Sequence, residues 1–275
     1  EAALQQATDA LCRAGDARLA RDRAAVETLA AALTPSRPRR SRALMARMAR
    51  FHALHPDFRT VIAVDSAGAI VAASPDVGVD GTPTVGRTVA DRAYFRAPMA
   101  GVPGASPSFV SDAFRGRGFG SAPIVGVSAA VRDSSGRPLG IVSGSLDLEA
   151  FAGIARGARA GEGSAFAIVD RAGRVILGGE ALGQRLLAAA AGHPLVVAAR
   201  ATPAGAAFRA DTDGGRVFGA HCTTALGWLV VGREPTAQLD RGTREAFALT
   251  LGWAVLAAAG AAAAATALAR RLAGM

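Results

Sequence analysis

The stretch Val64-Asp65-Ser66-Ala67-Gly68-Ala69-Ile70-Val71 returns in the second half of the chain as Val169-Asp170-Arg171-Ala172-Gly173-Arg174-Val175-Ile176. Each copy is an apolar run, then Asp-x-x-Gly, then a second apolar run. Asp favours turns and Gly takes positive φ freely, so each copy predicts two strands joined as a hairpin. A lone hairpin in water cannot bury its apolar face. Each copy therefore opens its own small sheet, and the chain reads as two similar units in tandem.

Around the first copy, Thr60–Val64 and Ala69–Ala73 are the hairpin strands, and a Gly- and Pro-rich loop follows from Pro75 to Gly86. Val89 to Ala100 reads as a short helix. Ser108–Ala113, Ile124–Val131 and Leu139–Leu148 read as three further strands, the last two joined by another Asp-x-x-Gly turn, Asp133-Ser134-Ser135-Gly136. Leu148 to Gly161 is a helical connector. In the second unit, Ala165–Val169 and Val175–Leu177 form the hairpin, and Ala181 to Arg200 is helical with a break at Gly192-His193-Pro194. Ala206–Asp211, Val217–Thr223 and Trp228–Gly232 complete its strands. Ahead of both units, Leu4, Leu11, Leu19, Val26, Leu29 and Leu33 recur at helical spacing and mark one long helix over residues 1–33. Pro35 and Pro38 end it; Ser41 caps a second helix whose apolar face is Leu44, Met45, Met48 and Phe51. Grouped strands with helices outside them predict an α+β fold with antiparallel sheets.

Half of the 275 residues are apolar, enough for a real core, with Ala and Gly supplying much of that count. The net charge is +9, and every basic residue is Arg. Arg is dispersed apart from the cluster Arg37, Arg39, Arg40 and Arg42, and no basic stripe interleaved with aromatics occurs, which argues against a nucleic-acid partner. The two cysteines, Cys12 and Cys222, form no Cys-x-x-Cys. They are open to two readings, a disulfide or a pair of unpaired small hydrophobes, and the second is the simpler. Residues 246–269 carry no formal charge and are followed by Arg270 and Arg271. A helix of that length spans about 36 Å, enough for the hydrocarbon core of a bilayer. The flanking arginines predict a cytoplasmic C-terminus, with both units on the other side of the membrane. No secretory signal stands at Glu1 and six residues follow the span, so the chain reads as a piece of a longer protein.

This order resembles the double Cache sensor family of bacterial transmembrane receptors. The resemblance is carried by the N-terminal helix, Phe58-Arg59-Thr60-Val61-Ile62-Ala63-Val64-Asp65-Ser66-Ala67-Gly68 and Asp91-Arg92-Ala93-Tyr94-Phe95. It continues in Phe109-Val110-Ser111-Asp112 and in Gly136-Arg137-Pro138-Leu139-Gly140-Ile141-Val142 running to Leu146-Asp147-Leu148. The resemblance covers about residues 1–235. It implies two PAS-like lobes on a long helical stalk: stalk 1–57, membrane-distal lobe 58–160, membrane-proximal lobe 161–235 and transmembrane helix 246–269. It further implies a periplasmic or extracellular sensing region on the bacterial inner membrane, a homodimer, and a small-molecule ligand in the distal lobe. Output would pass to a histidine kinase, diguanylate cyclase or chemoreceptor module, with no cofactor or metal of its own.

An amino-acid-binding subgroup of that family carries an Arg-x-aromatic-aromatic helix motif, an aromatic-x-Asp strand motif and a later Asp. Arg92, Tyr94 and Phe95 fit the first; Phe109-Val110-Ser111 fits the second with Ser111 in place of Asp; Ser145 stands at the later Asp. Those acids would pair with an α-ammonium group, and Arg92 with a carboxylate. The resemblance thus implies a carboxylate or other anion rather than an amino acid, held by Arg92, Tyr94, Phe95, Phe109, Ser111, Ser128 and Ser145. The plain reading beside it makes Arg92 and Arg96 solvated, Tyr94 core, and the serines small residues that let strands pack. His52 and His55 have metal-ligand spacing without a third ligand nearby. A membrane-anchored hydrolase is the competing enzyme reading, but no Gly-x-Ser-x-Gly elbow occurs. A ligand-free assembly module is the third reading.

Overall fold

The computed structural model describes residues 2–34, 37–101, 106–117, 119–148, 160 and 163–236, with single positions at 153, 250, 251, 253, 256, 257 and 260. Helix α1, Ala2–Leu33, is the axis on which the fold is built. Its apolar seam is buried along its length: Leu4 and Val26 are 0% exposed and Leu11 and Leu19 2%. Helix α2, Arg42–Leu54, starts where the Ser41 hydroxyl accepts from the Leu44 amide, a cap visible in the sequence.

The first sheet comprises β1 (Phe58–Asp65), β2 (Ile70–Ser74), β3 (Ser108–Val110), β4 (Phe114–Arg115), β5 (Pro123–Arg132) and β6 (Pro138–Asp147), in the order β2-β1-β6-β5-β3 with β4 beside β5. The second comprises β7 (Ala165–Val169), β8 (Val175–Leu177), β9 (Phe208–Thr212), β10 (Gly215–Thr223) and β11 (Leu229–Pro235), in the order β8-β7-β11-β10-β9. All pairings are antiparallel. The two sheets share one topology, and each repeated phrase forms a hairpin at the edge of its own sheet.

The repeat extends into the turns. Asp65 Oδ1 accepts from the Ala67 and Ala69 amides, and Asp170 Oδ1 from the Arg174 amide. Gly68 and Gly173 take φ of +85° and +79°. Each lies so close to a following segment that a Cβ would sit 2.6 Å from Ala90 in one case and 2.8 Å from Ala191 in the other. Each glycine's carbonyl accepts from that segment, Gly68 from the Val89 amide and Gly173 from the Ala190 amide. Glycine is thus required twice at each turn, for backbone angle and for close approach.

Strand alternation assigns the faces. Val61, Ala63, Val125, Val127, Val142 and Leu146 pack toward the helices α1 and α2, whereas Ile62, Val64 and Ile141 face the other way, against Phe95. Phe95 lies on helix α3, Ala93–Ala100. In the second unit, Ile168, Phe218, Ala220 and Val230 join the α1 core. Val169, Val217, Leu229 and Val231 form a separate cluster with the short helices α4 (Gly179–Leu182) and α5 (Pro194–Ala201).

Four sequence expectations need correction or limitation. Cys12 and Cys222 are joined as a disulfide, with Cα atoms 6.5 Å apart, so the unpaired reading is overturned. The seam that buries Leu11 turns Cys12 toward β10, where Cys222 shares the α1-facing side with Ala220. The strand expected over Ser108–Ala113 stops at Val110, because the Ser111 hydroxyl takes over as acceptor for the Gly126 amide. The helix expected over Ala181–Arg200 splits in two, because the backbone of Leu187, Ala188 and Ala190 bonds to the β7–β8 hairpin instead. Most of the expected transmembrane helix, 246–269, and of the connector Leu148 to Gly161 lies outside the described residues. Among the described residues no helix is long and apolar enough to cross a membrane.

The units also meet directly. The fully buried Asp170 carboxylate accepts from the Ala113 amide at 3.0 Å and pairs with Arg174. Arg171 pairs with Asp112 at 3.0 Å and donates to the Val110 carbonyl. The Asp-x-x-Gly turn of the second unit therefore grips the segment between β3 and β4 of the first.

Candidate functional site

The face of the first sheet that points away from α1 is open between α3 and the loops after β2 and β4. The floor of this cleft is β1 and β6, where Thr60 and Ser145 are direct cross-strand partners, with Ile62 beside them. The register shifts between Phe58 and Thr60, and Arg59 lines the cleft as well as Thr60. One wall is Arg87, Thr88, Val89 and Arg92; the other is Phe114, Gly116, Arg117 and Phe119. The cleft has a volume of about 220 Å³.

Arg92 is the N-cap residue of α3, with an extended backbone that directs the helix over the sheet. Its guanidinium lies over the Phe114 ring, 5.3 Å from the centroid, and Phe114 stacks on Tyr94 at 5.7 Å. Cation, ring and ring form one column against β5, where Gly126 leaves room for Tyr94: a Cβ there would stand 3.2 Å from its ring. Burial pushes the Tyr94 hydroxyl up to about 12, so it is a neutral donor at physiological pH. Among the described residues Arg92 forms no ion pair, whereas Arg59, Arg87 and Arg117 are paired with Asp147, Asp80 and Asp91. No Asp or Glu is among the described lining residues.

Of the seven residues singled out in the sequence, Arg92, Tyr94 and Ser145 come together at the cleft. The other four stand behind its walls. Phe95 is buried with Ile62, Val64 and Ile141 in the core beneath α3. Phe109 is half-buried on β3, paired with Ser128. Ser128 donates to the Tyr94 carbonyl at 2.7 Å, anchoring α3 to β5. Ser111 is buried, donating to the Asp112 carbonyl and accepting from Gly126. Asp112, next along the chain, pairs with Arg171. His52 bonds through its two ring nitrogens to Ser74 and the Phe58 carbonyl, and the His55 ring lies tilted against Phe51, centroids 4.3 Å apart.

Sequence reasoning missed Arg59, Arg87 and Phe114. Arg59 carried a signal, since it adjoins the strand position Thr60 that shares a face with Ile62. Arg87 reaches the cleft from a loop and Phe114 from the two-residue strand β4, segments whose course no periodicity fixes. Arg117 lies in a Gly-rich segment that contributes Gly116, Phe119 and Gly120 as well.

The second unit has the corresponding face but fills it. His193 stands before α5 as Arg92 stands before α3, yet its Nδ1 accepts from the Leu195 amide. Burial pushes the His193 imidazole below its usual value. Where Tyr94 covers Gly126, the Phe208 ring covers Gly219, 2.4 Å from where a Cβ would stand. Leu182, Leu195 and Val196 pack in behind it.

A family model described as a Cache domain matches residues 1–243 of this chain. No curated protein matches it. Among solved structures, it is similar to the extracellular domain of rpHK1S-Z16, a protein described as a histidine kinase (TM-score 0.69, 16% identity, 84% of this chain and 92% of that one). It is also similar to the ligand-binding domain of the Pseudomonas aeruginosa PAO1 amino acid chemoreceptor PctB in complex with L-Arg (TM-score 0.67, 15% identity, 88% and 90%). A third is the ligand-binding domain of the Campylobacter jejuni chemoreceptor Tlp3 in complex with 4-methylisoleucine (TM-score 0.66, 10% identity, 85% and 90%). At these identities the likeness is one of fold.

Proposed function

We infer the function from one premise: this chain belongs to the Cache domain family. It is the extracytoplasmic sensing region of a bacterial transmembrane signalling receptor, a binding module rather than an enzyme. Residues 1–57 are its stalk, 58–160 the membrane-distal lobe, 161–235 the proximal lobe and 246–269 the membrane helix; a homodimer is the signalling unit. The ligand is a small carboxylate held in the distal cleft. The Cys12–Cys222 bond supports placement in an oxidising compartment, where disulfides persist.

The observation that carries the ligand reading is the state of Arg92. Its guanidinium is oriented by Phe114 and has no carboxylate of its own among the described residues. A planar, always-charged fork held this way matches a ligand carboxylate through two parallel hydrogen bonds. Tyr94, Thr60 and Ser145 add neutral hydroxyls. The two chemoreceptor domains named above are in complex with amino acids, but the acids that would receive an α-ammonium are here Ser111, which is engaged with backbone, and Ser145. Signalling requires that the ligand bind one arrangement of the lobe better than another. The segment at Ala113, gripped by Asp170 and followed directly by Phe114, is a direct route from cleft to second lobe.

Titration calorimetry of the chain against a panel of small metabolites tests the reading. Arg92→Ala should weaken the strongest hit by about 10- to 100-fold, the cost of a charge-assisted hydrogen-bonded pair. Unchanged affinity would discard Arg92 as the anion partner.

A further inference from the structure

We propose that the cleft selects a ligand with a single negative charge on an aliphatic body, an aliphatic monocarboxylate, over dicarboxylates, inorganic phosphate and α-amino acids. The proposal rests on the reading of Arg92 as anion partner and narrows it from "anion" to a charge number and a body.

The charge number comes from which guanidiniums are spoken for. Four reach the cleft: Arg59, Arg87, Arg92 and Arg117. Arg59 Nη1 lies 2.7 Å from Asp147 Oδ2, Arg87 Nη2 3.3 Å from Asp80 Oδ2, and Arg117 Nη2 2.5 Å from Asp91 Oδ2. These acids are not part of the lining; each holds its arginine from outside. The Arg117 hydrogen bond holds the Asp91 carboxyl below its usual range, and bonds from the Thr82 hydroxyl and amide do the same for Asp80, so both acids are ionised at neutral pH. Three of the four positive charges are therefore compensated, and Arg92 supplies the single excess charge. A monoanion neutralises it. A second anionic group must either displace an Asp from its arginine or stay unpaired in a partly desolvated cleft, and both oppose binding. An α-ammonium fares worse, because no carboxylate among the described lining residues receives it and Arg92 repels it.

The body follows from the rest of the lining. Ile62, Ile70, Val89, Phe119 and Ile124 face the cavity together with the Phe114 ring. Each methylene buried against them strengthens binding by about fourfold. The hydroxyls that line the cleft are those of Thr60, Thr88, Tyr94 and Ser145, fewer than the apolar side chains, and the Thr88 hydroxyl already accepts from the Ala90 amide.

The test is calorimetry on the whole chain at fixed ionic strength with isovalerate, glutarate, inorganic phosphate, L-leucine and isovaleramide. Isovalerate is expected to bind at least tenfold tighter than each of the others, and Arg92→Ala to cost it at least tenfold. Asp91→Asn supplies the converse: it frees the exposed Arg117, so glutarate should gain at least threefold relative to isovalerate. Glutarate or phosphate binding tightest in an Arg92-dependent way overturns the charge number while leaving the anion reading standing. L-leucine binding tightest, or isovalerate binding regardless of Arg92→Ala, overturns both. Failure of isovalerate to bind overturns the aliphatic monocarboxylate itself.

Discussion

Removing the disulfide should cost this protein a large share of its stability while leaving its fold in place. Cys12 and Cys222 are 210 residues apart, so the bond closes a loop that includes the first sheet and all of the second except β11 and the end of β10. Chain-entropy arithmetic for a loop of that length gives a denatured-state penalty of about 5 kcal/mol at 25 °C. For a chain of this size, each kcal/mol moves the melting midpoint by roughly 2–4 °C, so Cys12→Ala with Cys222→Ala should melt roughly 10–20 °C lower. The native packing should survive, because Leu4, Leu11, Leu19 and Val26 stay buried against the sheets without help from sulfur. The mechanism adds a second signature. If the bond acts on the unfolded chain, removing it leaves that chain more expanded, and the urea m-value should rise as the midpoint falls. Urea unfolding followed by circular dichroism, on the oxidised protein and the double variant, measures both quantities. A double variant that melts within about 2 °C of the parent, with the same m-value, would refute the claim that the bond restrains the unfolded chain.

The remaining predictions concern the cleft and the contact between lobes. Tyr94 is the only tyrosine in the chain, so absorbance at tyrosinate wavelengths reports on it alone. Its midpoint should lie at about 12 in the folded protein and about 10 in denaturant. Because the folded value is raised, the associated stability is whole below pH ~10 and lost as pH rises from there through ~12, a fall of about 3 kcal/mol. A folded-state midpoint near 10 would put the hydroxyl in water and remove it from the wall of the cleft. Asp170→Ala strands the buried Ala113 amide and breaks the pair with Arg174, and should cost about 3 kcal/mol in urea unfolding. Asp211→Ala, which removes an exposed pair with Arg216, should cost under about 1 kcal/mol in the same assay.

The fold was legible where local chemistry and global topology demand the same thing. Asp65 and Gly68 are needed for the turn itself, and the glycine is needed again to admit Ala90, so the phrase is hard to spell otherwise. The same double demand at Asp170 and Gly173 made the repeat visible. Legibility failed where a segment trades its local preference for a distant partner. Ala181 to Arg200 has helical composition, yet Leu187 to Ala190 bonds to the β7–β8 hairpin, a contact that no periodicity within the segment encodes. The cysteines failed for the same reason: a helical seam shows which side Cys12 faces, but not that β10, two hundred residues on, will pass beneath it.

At the site the same distinction separates arginine from serine. An arginine at a helix N-cap has a charge that must be answered, and among the described residues Arg92 lies over Phe114 and forms no ion pair, so its sequence signal and its placement agree. A serine in a strand has two ways to satisfy its hydroxyl, and backbone is the nearer. Ser128 takes the Tyr94 carbonyl and Ser111 takes both the Asp112 carbonyl and the Gly126 amide. Neither hydroxyl is then at liberty to meet a ligand, and both hold the cleft's walls in place instead. Ser145, singled out by its place at the motif's later Asp, does line the cleft, between its strand partners Thr60 and Gly126. What sets the cleft's chemistry is therefore the distribution of acids around its arginines. That distribution draws on Asp80, Asp91 and Asp147, far apart in sequence, and becomes readable only once the strands and loops that carry them are in register.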